Sequence, residues 1–197
     1  SKPGDIGLNL HLYGESHPEI ELNLCFRDYL RAHPSKREDY GRIKQELLQD
    51  ESSFTKENSP FTNYTLRKGN FIRGILREAG FRRIRMLKCN DDTEWQAAKY
   101  FRDTYSLGPH GIQDPSTWAF NNEGHAHLVL YHGTEIMGYA HIHFLLDKRA
   151  AIRIMVVDEK EQNQNSGSEF LVLIEKWVKS LGIHNIHADS RQSSLRL

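Results

Sequence analysis

At 197 residues, with 38% hydrophobic and 26% charged side chains, the chain has the balance of a soluble globular protein of one ordinary domain or two small ones. No apolar run nears the roughly 20 residues that cross a bilayer, and 26 basic against 26 acidic side chains leave no net charge to draw the whole chain to nucleic acid or a membrane surface. Two cysteines, Cys25 and Cys89, without C-x-x-C spacing and with no secretory signal at the start, point to a reducing compartment, read here as the cytoplasm.

The elements follow in chain order. Ile6, Leu8, Leu10 and Leu12 alternate as on one face of a strand. From Ile20 the apolar spacing becomes helical through Leu22, Cys25, Phe26, Tyr29 and Leu30, until His33-Pro34 stops it. Tyr40, Ile43, Leu47 and Leu48 mark a second helix. Phe71, Ile72, Ile75, Leu76 and Ala79 mark a third, with Gly80 placed as its C-terminal cap. Near Arg82 to Ile84 the pattern changes to alternating strands and helices. "RRIRMLKC" reads as a strand and "DDTEWQAAKYFRDTYS" as a helix capped by Asp92 or Thr93. A loop and a short helical piece around Trp118 and Phe120 follow. The strands "HAHLVLYH" and "EIMGYAHIHFL" form a hairpin about Gly133-Thr134. Then come a strand from Ala150 to Asp158, a polar loop, a helix from Ser168 to Leu181 and a strand "NIHADS". Trp95, Trp118 and Trp177 fall on apolar stripes and are expected in the core.

The polar loop "EQNQNSGS" carries the most chemistry. A loop that leaves a strand and enters a helix presents unpaired N–H groups at the positive end of the helix dipole. Ser166, Gly167 and Ser168 are small enough to let a phosphate approach, and Gln162, Asn163, Gln164 and Asn165 add amide donors. The loop lacks both the Lys-Ser/Thr ending of a P-loop and the three glycines of a dinucleotide fingerprint. A solvated loop with an ordinary helix cap fits the same residues.

From about Ile84 onward, the order strand, helices, three antiparallel strands, loop, helix, strand resembles the GNAT acyltransferase superfamily. That family holds the pyrophosphate of acetyl-CoA with a Gln/Arg-x-x-Gly-x-Gly/Ala loop between its fourth strand and a helix. Here Gln162 takes the first motif position, Asn165 the second and Gly167 the third, with the stripe Phe170, Leu171, Ile174, Trp177 and Val178 in the helix. Asn stands where the family has glycine, and of residues with a side chain it is among those that best tolerate left-handed backbone. The resemblance implies an α/β (α+β) fold with a mixed, mostly antiparallel sheet. It also implies acetyl-CoA as acyl-donor substrate at Met155, Val156, Val157 and Gln162 to Ser168, the first three pairing by main chain with the pantetheine arm. The family's tyrosine acid belongs to a later helix and strand pair, so no residue takes that part here.

Leu10 to Leu12, Phe26 to Arg31 and Tyr40 to Lys44 are similar to the GrpB family, which has a nucleotidyltransferase-like fold. Its Gly-Ser-Thr turn and Lys-Pro-x-x-Asp strand have no match, so the segment is expected to be the C-terminal part of such a domain. Asp28 is read as an ion-pair partner of Arg27 or Arg31 rather than a metal ligand.

His125/His127 and His141/His143 are spaced so that each pair shares a strand face. With no carboxylate or cysteine beside them they read as hydrogen-bonded or solvent-facing rather than zinc ligands, and no metal is expected. His141 and His143 are also candidates for a general base, in competition with Glu135, Asp158 and Glu159. Arg67 to Lys88 holds eight basic residues and one glutamate, which reads better as a solvated face and linker than as a nucleic-acid patch.

These readings converge on a GrpB-like segment over 1–82 and a GNAT domain over 83–197, an N-acetyltransferase that moves an acetyl group from acetyl-CoA to the primary amine of a small molecule or protein. A non-catalytic acyl-CoA-binding module and a GrpB-type nucleotide-handling protein are the rival readings.

Overall fold

Prolines set the first two helices, because a residue without an N–H suits the first turn of a helix and ends the one before it. The computed structural model describes residues 12–13, 17–55, 62–114, 122–161 and 165–188. The strand expected at Ile6 to Leu12, the helical piece around Trp118 and Phe120, and Gln162, Asn163 and Gln164 therefore lie outside the described residues, save for Leu12 itself. Helix α1 (Pro18–Ala32) opens with Pro18, and the His17 ring accepts the Glu19 N–H. It stops one residue before His33, and α2 (Pro34–Gln49) begins on Pro34. Asp28 meets Arg27 at 2.8 Å and Arg31 at 3.6 Å, the ion pairing expected of it.

Helix α3 (Asn63–Glu78) ends at Gly80, whose φ of +71° is the left-handed conformation that glycine adopts freely. The chain then turns back and buries Phe81 against Leu22 and Leu76, with Cys25, Phe26 and Ile72 around them. Burial of a side chain of that size contributes about 2 kcal/mol. This cluster joins α1 and α3 at the point where the helical segment becomes the sheet.

The sheet has five strands in sequential order: β1 (Ile84–Lys88), β2 (His125–His132), β3 (Glu135–Leu145), β4 (Arg149–Val157) and β5 (Asn185–Ala188). The first three pairings are antiparallel and β4–β5 is parallel. The hairpin strands run as the alternation implied. Two helices cover the two faces. Helix α5 (Ser166–Ser180) sets Phe170, Ile174 and Val178 on Leu128, Leu130, Ala140, Ile142 and Ile152. Helix α4 (Asp92–Phe101) sets Ala98 and Phe101 on Val129, Tyr131 and Tyr139. Its cap is Asp91 rather than Asp92 or Thr93: Asp91 accepts the Glu94 N–H and Glu94 reaches back to the Asp91 N–H. That reciprocal pair settles the start. The helix then widens into a π-helix over Arg102–Leu107.

One irregularity shapes everything that follows. His141 pairs with Ile154 but Ile142 pairs with Ile152, so Arg153 is an extra residue in β4. The parity of the strand flips there: Ala150 and Ile152 face α5 before the bulge, Met155 and Val157 after it. The β4–β5 pairing is described as far as Ile152↔Ala188, the last described residue.

The basic run is largely consumed in ion pairs. Arg67 meets Asp50, Arg73 meets Asp91, Arg77 meets Glu135, Arg83 meets Glu21, and Arg85 meets Glu19 at 3.2 Å. Arg85 is buried and lies 4.5 Å above the Tyr131 ring, so the pair with Glu19 couples α1 to the first two strands. These cations are structural ties, and the buried Arg85 departs from the solvated face expected of the run.

Candidate functional site

Two sets of groups meet near the lower half of β4. The first is main chain. The Asp158 N–H bonds the Met137 carbonyl at 2.8 Å, so by the two-residue alternation of a strand the Val156 groups also turn to β3. Met155 and Val157 accordingly direct their N–H and C=O to the other edge of β4, the side on which β5 is described as far as Ala188, opposite Ile152. Of the three strand residues singled out in the sequence, two thus aim main chain away from β3, and Val156 lies between them.

The N-terminus of α5 follows β4 after a short loop. Asn165 has φ +61°, the left-handed conformation that a glycine would otherwise supply, and its side chain caps none of the helix N–H groups. The first intrahelical bond runs from the Glu169 N–H to the Asn165 carbonyl at 2.9 Å. The amides of Ser166, Gly167 and Ser168 precede it, and a Cβ placed on Gly167 would meet nothing within 4 Å. Small residues, amides at a positive helix end and open space at Gly167 fit a phosphate group. The fit of acetyl-CoA to these residues rests on that chemistry.

The second set is a polar column on the α4 face of the sheet. Arg102, buried at 1% exposure, donates Nε–H and Nη2–H to the two carboxylate oxygens of Asp114, each at 2.7 Å. Its Nη1 donates to the Tyr139 hydroxyl at 3.2 Å and lies 3.4 Å from His141 Nδ1. An arginine only donates, so the His141 lone pair belongs on Nδ1 and the ring proton on Nε2, which bonds His125 Nδ1 at 2.8 Å. His127 Nδ1 and the Tyr139 hydroxyl are 2.7 Å apart. The rings of His127 and His141 stack at 4.5 Å, and those of His125 and His143 at 4.3 Å. Each pair shares the α4 face, as the spacing implied, and of the two readings, hydrogen-bonded or solvent-facing, these rings are hydrogen-bonded.

The two base candidates part company here. His141 is buried with both ring nitrogens engaged, and burial, His127 and Arg102 lower its pKa to about 3, so it stays neutral and holds its neighbours in place. His143 is half-buried and takes the Arg153 Nη2–H on Nδ1 at 3.0 Å. Burial and then the Arg153 charge lower its pKa.

Arg102, Asp114, Tyr139 and Arg153 were not singled out from sequence. Arg102 stands four residues after Ala98 and four before Ser106, on the buried stripe of the helix, and a charge there is a sign of a buried partner. Arg153 interrupts the apolar run "AIRIMVV", the trace of the bulge.

With this geometry in view, the comparisons with known proteins agree. Residues 90–197 match the acetyltransferase (GNAT) family, more than half of the chain, so the chain belongs to the GNAT acetyltransferase family. Residues 2–78 match the GrpB protein family. Two curated relatives match part of the chain: UPF0157 protein BH1888 of Halalkalibacterium halodurans, 44% identical over 50 residues, covering 25% of this chain and 26% of that protein, and UPF0157 protein YqkA of Bacillus subtilis, 46% identical over 39 residues, covering 20% and 11%. The matches thus span about a quarter and about a ninth of those relatives' lengths. Among solved structures, a proposed N-acetyltransferase from Lactobacillus plantarum is similar in fold, with TM-score 0.50 and 14% identity over 57% of this chain and 79% of that one.

Proposed function

We propose that this chain is an N-acetyltransferase that uses acetyl-CoA as acyl donor and a primary amine as acceptor, with residues 83–197 holding the site and residues 1–82 bracing it. The observation that carries the reading is the main chain of Met155 and Val157 turned away from β3, followed after a short loop by the α5 N-terminus with left-handed Asn165 and the small residues Ser166, Gly167 and Ser168. Met155 and Val157 would pair through main chain with the pantetheine arm. Asn165, Ser166, Gly167 and Ser168 would receive the pyrophosphate through amides and hydroxyls, with Gln162, Asn163 and Gln164 from the same loop. Acetyl-CoA supplies the activated thioester; the chain's own part is to hold it along β4 and to keep an amine facing it on the α4 side. Positioning two reactants is the largest contribution such a site needs to make.

The test is calorimetry with acetyl-CoA, followed by thiol release over a panel of amines. Binding that weakens for dephospho and pantetheine fragments, with turnover of at least one amine, is expected. Silence at millimolar acetyl-CoA would remove the reading, and binding without turnover over a broad panel would move it to an acyl-CoA-binding module.

A further inference from the structure

Arg153 is exposed on the α4 face at the bulge. Among the described residues its one hydrogen bond is to the His143 ring, and no ion pair reaches it. It keeps the parity of Ala151, and the bulge adds Ile154, the next residue, to the same α4 face, so two successive side chains share one side. His143 cannot neutralise the guanidinium. It anchors one Nη2–H through Nδ1, and its own position is held by the His125 ring stacked at 4.3 Å, itself bonded to His141 and through it to Arg102 and Asp114. A planar cation fixed along one edge keeps its remaining N–H donors for a group with two acceptor oxygens.

From this placement we propose that Arg153, positioned by His143, is a subsite for an anionic group, a carboxylate or a phosphate, carried by the acceptor. The proposal rests on the acetyltransferase reading and narrows it to amines that also bear a negative charge. The anion is the acceptor's rather than the cofactor's. Arg153 lies on the sheet face opposite α5, and four residues of strand, about 13 Å at roughly 3.3 Å per residue, separate it from Val157 and the turn toward the α5 N-terminus. A phosphate seated on Ser166 to Ser168 is thus out of its reach. Arg102 and Arg85, two further cations on this face, are already matched by Asp114 and Glu19.

Matched amines test this in the full chain without acetyl-CoA: β-alanine against ethylamine, lysine against cadaverine, and phosphoethanolamine against ethanolamine. The readouts are affinity and the imidazole ¹H–¹⁵N signals of His143. Each anionic partner is expected to bind about tenfold more tightly, the scale of one charge-assisted contact at an exposed site, and to shift the His143 signals. The third pair, set against the first two, tells phosphate from carboxylate. Arg153→Met should erase the preference and Arg153→Lys should restore part of it. Equal binding within every pair, a preference that survives Arg153→Met, or unmoved His143 signals at tens of millimolar probe would each overturn the subsite. Loss of acetyl-CoA binding, measured separately, would instead remove the catalytic reading.

Discussion

Acidification should loosen this fold through His141. The folded ring has a pKa of about 3 against an ordinary 6.5, because it is buried between His127 and His125 with the Arg102 guanidinium at 3.4 Å. Between those two values the unfolded chain binds a proton that the folded chain refuses, so stability falls as pH drops through 6.5 and goes on falling to about 3. The gap of roughly 3.5 units corresponds to about 5 kcal/mol in full. At pH 5 about 2 kcal/mol is already lost, since the unfolded imidazole is by then nearly all protonated and the folded one nearly all neutral. The lowered pKa values of His125 and His143 act in the same direction.

The assay is urea unfolding at pH 7 and pH 5 for the native chain and for His141→Gln, which keeps a hydrogen-bonding side chain without a proton to gain. The variant is expected to be less stable at pH 7, because it disturbs a buried network, yet to lose about 2 kcal/mol less than the native chain on moving to pH 5. Equal losses in both proteins would refute the reasoning, and so would a native chain that gains stability on acidification.

Three further outcomes can be checked. Gly167→Asp should abolish acetyl-CoA binding by calorimetry while leaving the thermal midpoint nearly unchanged, because the new side chain enters open space with a carboxylate where phosphate is expected; Asn165→Gly, at φ +61°, should preserve or improve binding. Gly133→Ala should cost about 3 kcal/mol or more in urea unfolding, since its Cβ would lie 2.2 Å from the Phe81 carbonyl at a φ of +61°. A chain beginning at Arg82 should keep its acetyl-CoA affinity within a few fold and melt at a lower temperature, having lost Glu19 from Arg85 and the Leu22 and Leu76 contacts of the helical segment; a tenfold loss of affinity in a folded sheet would contradict the division of labour.

Periodicity carried the hairpin from His125 to Leu145 and the helices, because those elements follow from neighbours two, three or four residues apart. The Asp91 cap was one residue off, since "NDDT" offers three candidate caps and only the reciprocal bond with Glu94 distinguishes them. What strand alternation does not encode is an inserted residue. "AIRIMVV" is apolar on both faces of its strand apart from Arg153, and that one charge does not say where the register breaks; the pairing with β3 decides it. The polar column is hidden for a related reason. His125 and His141 are sixteen residues apart and Arg102 and Asp114 twelve, and only the packing of the π-helix on the sheet brings the four together.

The bulge and the column meet at Arg153. Arg153 keeps the parity of Ala151 with or without the extra residue, but without it Met155 and Val157 would turn their side chains to the α4 face and their main chain to β3. With it, one strand turns main chain away from β3 below a cation on its α4 face. That cation needs support that neither repels nor neutralises it. A protonated histidine would repel it and a carboxylate would quench it, whereas a neutral imidazole offers a lone pair and nothing more. Burial next to Arg102 keeps His141 neutral, and the His125–His143 stack continues that neutral, donor-ordered stack toward the surface. The buried Arg102–Asp114 pair, which contributes little net stability by itself, thereby fixes the protonation state of the residues that hold Arg153 in place.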